Sequence, residues 1–153
     1  MYTYIVYLHS ILRWVILALL VINIIRIATG NNKITYSKWL FISVNITFLL
    51  GLYQYFAGPW GYSLIQQFGM SEVMKNDTYR FWAVEHITGM IVATAFVSIG
   101  HSALKKSNAK KANMFFILAL ILILAVTHYF NMLVIYYLSK SKSFSRTNKT
   151  FQL

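Results

Sequence analysis

Cysteine is absent from the 153 residues, proline occurs once, and Glu72, Asp77 and Glu85 are the only acidic side chains. Without thiols there can be no disulfide framework, thiolate zinc site, iron–sulfur cluster or covalently attached c-type haem. Any metal must therefore be held by histidine, methionine or oxygen. Three scattered carboxylates offer no acid–base pair, and the chain lacks a Gly-x-Ser-x-Gly elbow, a His-Glu-x-x-His pair and a phosphate-binding glycine loop. Nothing in it supports hydrolysis. Charged residues make up 11% of the chain, against about a quarter in ordinary globular domains, which excludes a water-soluble domain. The length excludes a large transporter or multidomain enzyme, since four spans of about 20 residues each already use more than half of it.

What is present is 58% hydrophobic and 17% aromatic, with a net charge of +11. The cations cluster between or beyond apolar runs: Lys33 and Lys38; Lys105, Lys106, Lys110 and Lys111; and Lys140, Lys142, Arg146 and Lys149. Basic residues in such places suit topology signals and anionic lipid headgroups. No basic, aromatic-interleaved groove motif accompanies them, so nucleic acid is not an expected partner.

The apolar runs predict an all-α fold, an integral membrane four-helix bundle with spans over about 4–28, 39–56, 81–103 and 113–138, followed by a basic polar tail at 139–153. No basic segment precedes the first run, and it exceeds the 7–15 residues of a signal-peptide core, so it is expected to stay in the mature protein. Ala57-Gly58-Pro59-Trp60-Gly61 stops the second span, and a short amphipathic helix is expected over Tyr62 to Met74. The fourth run is longer than a bilayer needs, which implies tilt or a projecting end. The lysine-rich connectors after spans one and three are expected in the cytoplasm of a bacterium, within a multi-pass inner-membrane protein whose N-terminus faces outward. The basic tail, on the same side as the N-terminus, opposes that orientation.

Ionisable residues inside a membrane are costly and point to function. At 1.5 Å rise per residue, His9 and His86 lie about 10 and 9 Å from the centres of parallel spans one and three, toward one membrane face. His128, on an antiparallel span, falls on that side or near the midplane. His101 lies near the opposite face, and Ser102 and Lys105 beside it suggest a wet, interfacial position. Helical periodicity groups His9, Arg13, Ile16, Leu20 and Asn23 on one stripe of span one. It likewise groups Thr47, Gly51, Gln54 and Gly58 on span two, His86, Gly89, Ala93, Phe96 and Gly100 on span three, and Ile121, Ala125, His128 and Met132 on span four. These stripes are expected to face inward, where small residues let backbones approach or leave room for a flat ring.

Two imidazoles at matched depth on facing helices can hold a b-type haem, which needs no cysteine. On this reading His9 and His86 are the metal ligands, Arg13 or Arg80 pairs with a propionate, Glu85 orients an imidazole or pairs with Arg13, and His128 is a substitute or third member. Electrons would then pass between a quinone pool and another membrane redox partner. The same residues allow two other readings. One is a non-redox accessory or structural subunit of a larger membrane complex, with the polar group serving helix packing. The other is a copper or other metal transport protein using His9, His86 and His128, with Met90 or Met132 as soft ligands. Glu85 can also simply cap its helix, and the tyrosines and tryptophans can form interface belts.

His9-Ser-Ile-Leu-Arg13-Trp14 in span one, Phe81-Trp-Ala-Val-Glu85-His86 opening span three and Ile99-Gly100-His101-Ser102-Ala-Leu-Lys105-Lys106 closing it resemble a family of small bacterial four-span membrane proteins commonly labelled cytochrome b-like. The resemblance runs from about Tyr4 to the middle of span four and implies association with haem b or electron transfer. Two features depart from the family pattern. Ile87 follows the Glu-His pair where proline is usual, which bears on how the helix enters at His86, and the basic tail is longer.

Overall fold

The structure, a computed structural model, describes residues 2–150, with side chains described as far as His128 and at Met132. Helix α1 spans Tyr2–Ala28, α2 Thr35–Ala57, α3 Tyr62–Lys75 and α4 Asp77–Arg80; a π-helical segment, Phe81–Glu85, leads into α5, His86–Lys105, and α6 runs over Ala109–Thr150. Helices α1 and α2, the continuous stretch Asp77–Lys105 and the first part of α6 are long and apolar enough to cross a membrane. The architecture is thus all-helical, a bundle of four membrane-spanning helices, with α3 and α4 in the connector between the second and third spans.

The bundle buries small and medium apolar side chains. Ile16 and Leu20 of α1, Leu40 and Val44 of α2, Ala93 and Val97 of α5, and Ala112, Phe116, Ala119 and Ile123 of α6 form one core cluster. Large apolar side chains such as Ile11, Leu49, Phe56, Ile91 and Ile121 point outward. In a water-soluble protein so much exposed apolar surface would drive aggregation, whereas a lipid surround accepts it. Small residues on α5 set how closely α6 approaches. A Cβ added at Gly89 would lie 2.9 Å from Val126, and one at Gly100 would lie 2.6 Å from the Phe116 ring. Both glycines are filled by α6 side chains, so of their two expected uses, close helix approach is the one realised.

The stripes expected on α1 and α5 match the observed burial: Ile16, Leu20 and Asn23, and Gly89, Ala93 and Gly100, are all buried. The stripe expected on span four is corrected. Ile121, Ala125, His128 and Met132 are exposed, while Ala112, Phe116, Ala119 and Ile123 face the core. Helix α6 begins at Ala109 and continues past Leu138 to Thr150, so the backbone of the expected polar tail extends the helix. The side chains of Lys140, Lys142, Arg146 and Lys149 lie outside the described residues.

The connector contains the expected amphipathic helix. It kinks at Gly69, whose φ of 76° is a conformation that glycine adopts without steric cost. Asn76 caps α4, its side-chain oxygen accepting from the backbone N–H of Thr78 and Tyr79. Leu64 and Val73 of α3 pack on Ala83, fastening the connector to the start of the third span.

Candidate functional site

Helices α1 and α5 bring His9 and His86 face to face, with ring centroids 6.4 Å apart and planes inclined by 58°. Both rings line an intramembrane cavity of about 460 Å³, within the size range of ligand pockets. Arg13, one turn after His9, lines the same cavity. The walls are mostly apolar, from Val44, Phe48, Met90 and Ile123, with Thr47, Gln54 and Thr94 as polar additions. His9, His86 and Arg13 are therefore the sequence-derived candidates that the fold gathers at one place.

One nitrogen of each of these three residues is left unsatisfied within the protein. Nδ1 of His9, Nδ1 of His86 and Nε of Arg13 are buried and have no hydrogen-bond partner. Buried polar groups are normally paired, and each unpaired one calls for an explanation. No carboxylate lines the cavity. The Arg13 guanidinium lies 5.5 Å from the exposed ring of Trp14, which offers a cation–π contact and no counter-charge. A cationic side chain in a membrane bundle without an anion is costly, so this cavity is suited to a ligand that carries negative charge.

Gly51 on α2 leaves room for His9: a Cβ there would stand 3.1 Å from the imidazole Cε1 and 3.6 Å from Nδ1. Thr47, Gly51 and Gln54 of the expected stripe thus line the site, while Gly58 packs beside Tyr2. Around His86 the rings of Trp82 and Phe81 stand 5.6 and 5.7 Å away, and Trp82 in turn meets Trp60 at 6.2 Å. Tyr2, Trp60 and Trp82, expected as interface belt residues, line the cavity, and so does Tyr55. Trp14 and Trp39 are exposed, as belt residues would be.

The entry to His86 is a wide turn. Over Phe81–Glu85 the backbone is π-helical, and the His86 N–H donates to the Phe81 carbonyl five residues back. Such turns occur singly and often near functional residues. The wide turn also explains the fate of Glu85. Residues five apart in an α-helix point about 140° away from each other, yet here Arg80 Nε donates to Glu85 Oε1 at 2.7 Å. Arg80 also bonds Asp77 at 2.9 Å and the Met74 carbonyl at 3.1 Å. Glu85 therefore pairs with Arg80 rather than Arg13, and Arg80 is engaged by carboxylates outside the cavity; neither lines it. Tyr55 completes the segment, donating from its hydroxyl to the Ala83 carbonyl at 3.0 Å.

Two further expectations are corrected. His128 is exposed and does not line the cavity, because the inward face of α6 carries Val126 and Thr127 instead. His101 is buried at 6% exposure rather than wet. Its Nδ1 is 2.8 Å from Ser37 Oγ, and its ring stacks on Phe41 at 5.0 Å and 18°. Ser37 Oγ also stands 3.1 Å from the Ile34 carbonyl, so the hydroxyl links His101 to the backbone at the start of α2. Among the described residues no group of three or more His, Cys, Asp or Glu is placed to hold a bare metal ion. Met90 lines the cavity, whereas Met132 is exposed.

No protein family, curated protein or solved structure compared with the chain matches it.

Proposed function

We propose that this chain is a haem-b-binding protein of a bacterial inner membrane, N-terminus outward, that passes electrons between a quinone pool and another membrane redox partner. The observation that carries the reading is the pair of imidazoles, 6.4 Å apart inside an intramembrane cavity. Two imidazoles on opposite sides of one metal have centroids roughly 6 Å apart, from two bonds of about 2 Å and about 1 Å from each nitrogen to its ring centre. The donor set supports the reading too. Two ligands without a third suit a group that brings its own equatorial nitrogens, whereas a transport site for bare copper would need His128, which points elsewhere.

On this proposal His9 and His86 would hold the haem iron, and the Gly51 gap sets where the His9 ring can stand. Arg13 supplies the positive charge for a propionate. Val44, Met90 and Ile123, which line the cavity, would keep water from the group, and burial of this kind would tune its potential. The chemistry that haem b supplies is a one-electron ferric–ferrous couple. The resemblance of the His9 to Trp14 and Phe81 to His86 strings to cytochrome b-like membrane proteins supports the same class.

The test is optical. Protein expressed with haem available and purified in detergent should show a Soret band and a reducible alpha band. His9→Ala and His86→Ala should each abolish them, and His101→Ala should leave them. A colourless preparation that cannot be reconstituted with haem, or equal loss from all three variants, would refute the proposal. The first of those outcomes would favour a packing role in a larger complex.

A further inference from the structure

The two ends of the bundle differ in charge far more than the spans between them. All three acidic residues of the chain belong to the end that carries α3, α4 and the start of the third span. There Glu72 pairs with Lys75, and Asp77 and Glu85 pair with Arg80. The opposite end, where α1 meets α2 and α5 meets α6, carries Arg26, Lys33 and Lys38 on one connector and four lysines between residues 105 and 111 on the other. No acid is present at that end, and its six lysines are exposed.

Arg26 is the ordered member of this group. Its guanidinium carbon lies 4.2 Å from the centroid of the Tyr36 ring, a cation–π contact that fixes the head group. Its Nε is buried without a hydrogen-bond partner. Arg26 makes no ion pair among the described residues, in contrast to Arg80 at the other end. A planar guanidinium held against a ring and without an acidic partner is suited to a phosphate oxygen pair.

We propose that this end of the bundle binds the phosphodiester headgroups of anionic phospholipid, with Arg26 as the ordered phosphate contact and the lysines as the surrounding charge. Position favours lipid over an acidic protein. Arg26 lies in the last turn of α1, Lys38 in the first turns of α2, Lys105 ends α5, and Lys110 and Lys111 open α6, which places them at the headgroup level of the spans. Tyr36 and Trp39, both exposed at that level, are residues typical of the membrane interface. Basic residues there attract anionic lipid within about a Debye length. The proposal does not depend on haem.

Native mass spectrometry of the detergent-solubilised chain, offered phosphatidylglycerol and phosphatidylcholine at equal concentration, tests it. Phosphatidylglycerol should be retained in preference by about tenfold or more, given several favourable charges. Arg26→Gln should remove most of that preference. A second variant with Lys105, Lys106, Lys110 and Lys111 all changed to Gln, Arg26 retained, should lower it as well, while helical circular dichroism stays unchanged. Equal retention of the two lipids, or a preference untouched by both variants, would overturn the proposal. So would binding of polyglutamate with no preference for phosphatidylglycerol, which would assign the face to an acidic polypeptide.

Discussion

Gly51→Val is the sharpest probe of the site, because it leaves both histidines and Arg13 in place and alters only the room beside one ring. A Cβ at position 51 stands 3.1 Å from His9 Cε1, already closer than the ordinary carbon–carbon contact of about 3.5–4.0 Å. Alanine therefore asks the imidazole to give by a few tenths of an ångström. Valine adds two methyl carbons about 1.5 Å beyond Cβ and forces the ring to move by about 1 Å or to change rotamer. A ligand constellation works only within about 0.5 Å of its productive geometry. Haem affinity should thus fall modestly for Gly51→Ala and by at least about tenfold for Gly51→Val. Overpacking should cost about 1–3 kcal/mol in stability. Haem titration of the apoprotein in detergent, followed at the Soret band alongside thermal unfolding, measures both effects. Wild-type haem affinity in a folded Gly51→Val protein would show that the His9 ring, where the structure places it, is not a ligand.

Two other outcomes follow from unsatisfied or satisfied polar groups. Arg13→Leu should stabilise the haem-free protein, by about 2.5–3.5 kcal/mol if the guanidinium in the apo bundle costs what insertion scales assign to it, and should weaken haem binding. Chemical denaturation and haem titration of the same variant check the two opposite signs, and a destabilised apoprotein would show that the guanidinium is already satisfied inside the bundle. Ser37→Ala should cost about 1–3 kcal/mol by leaving His101 Nδ1 buried without its hydrogen-bond partner. The double variant Ser37→Ala with His101→Phe should recover part of that loss in thermal unfolding, because neither partner is then left orphaned.

The helical bundle could be read from the apolar runs alone, and the meeting of His9 with His86 follows from rise per residue and the stripe through Arg13, Ile16 and Leu20. Periodicity carries such information when a helix has a polar face. Helix α6 has almost none: isoleucine and leucine surround it between Phe116 and Val126, so its phase was set by the polar His128, while the glycines of α5 and the fit of Phe116 and Val126 into them set it in fact. The burial of His101 is hidden from the sequence for a related reason. Its sequence neighbours Ser102 and Lys105 are exposed, whereas its partners Ser37 and Phe41 come from another helix. The pairing of Glu85 depended on a wide turn that no proline or glycine announces.

That wide turn also bears on which residues position 87 tolerates. In an α-helix the N–H of residue 87 would seek the carbonyl of residue 83, and here that carbonyl already receives the Tyr55 hydroxyl. An imino acid after the Glu-His pair would therefore surrender a donor whose acceptor has another supplier. The phenol on the second helix makes this kink-prone site tolerant in either form, and a chain that carried proline there would be under pressure to keep a hydroxyl-bearing aromatic facing it.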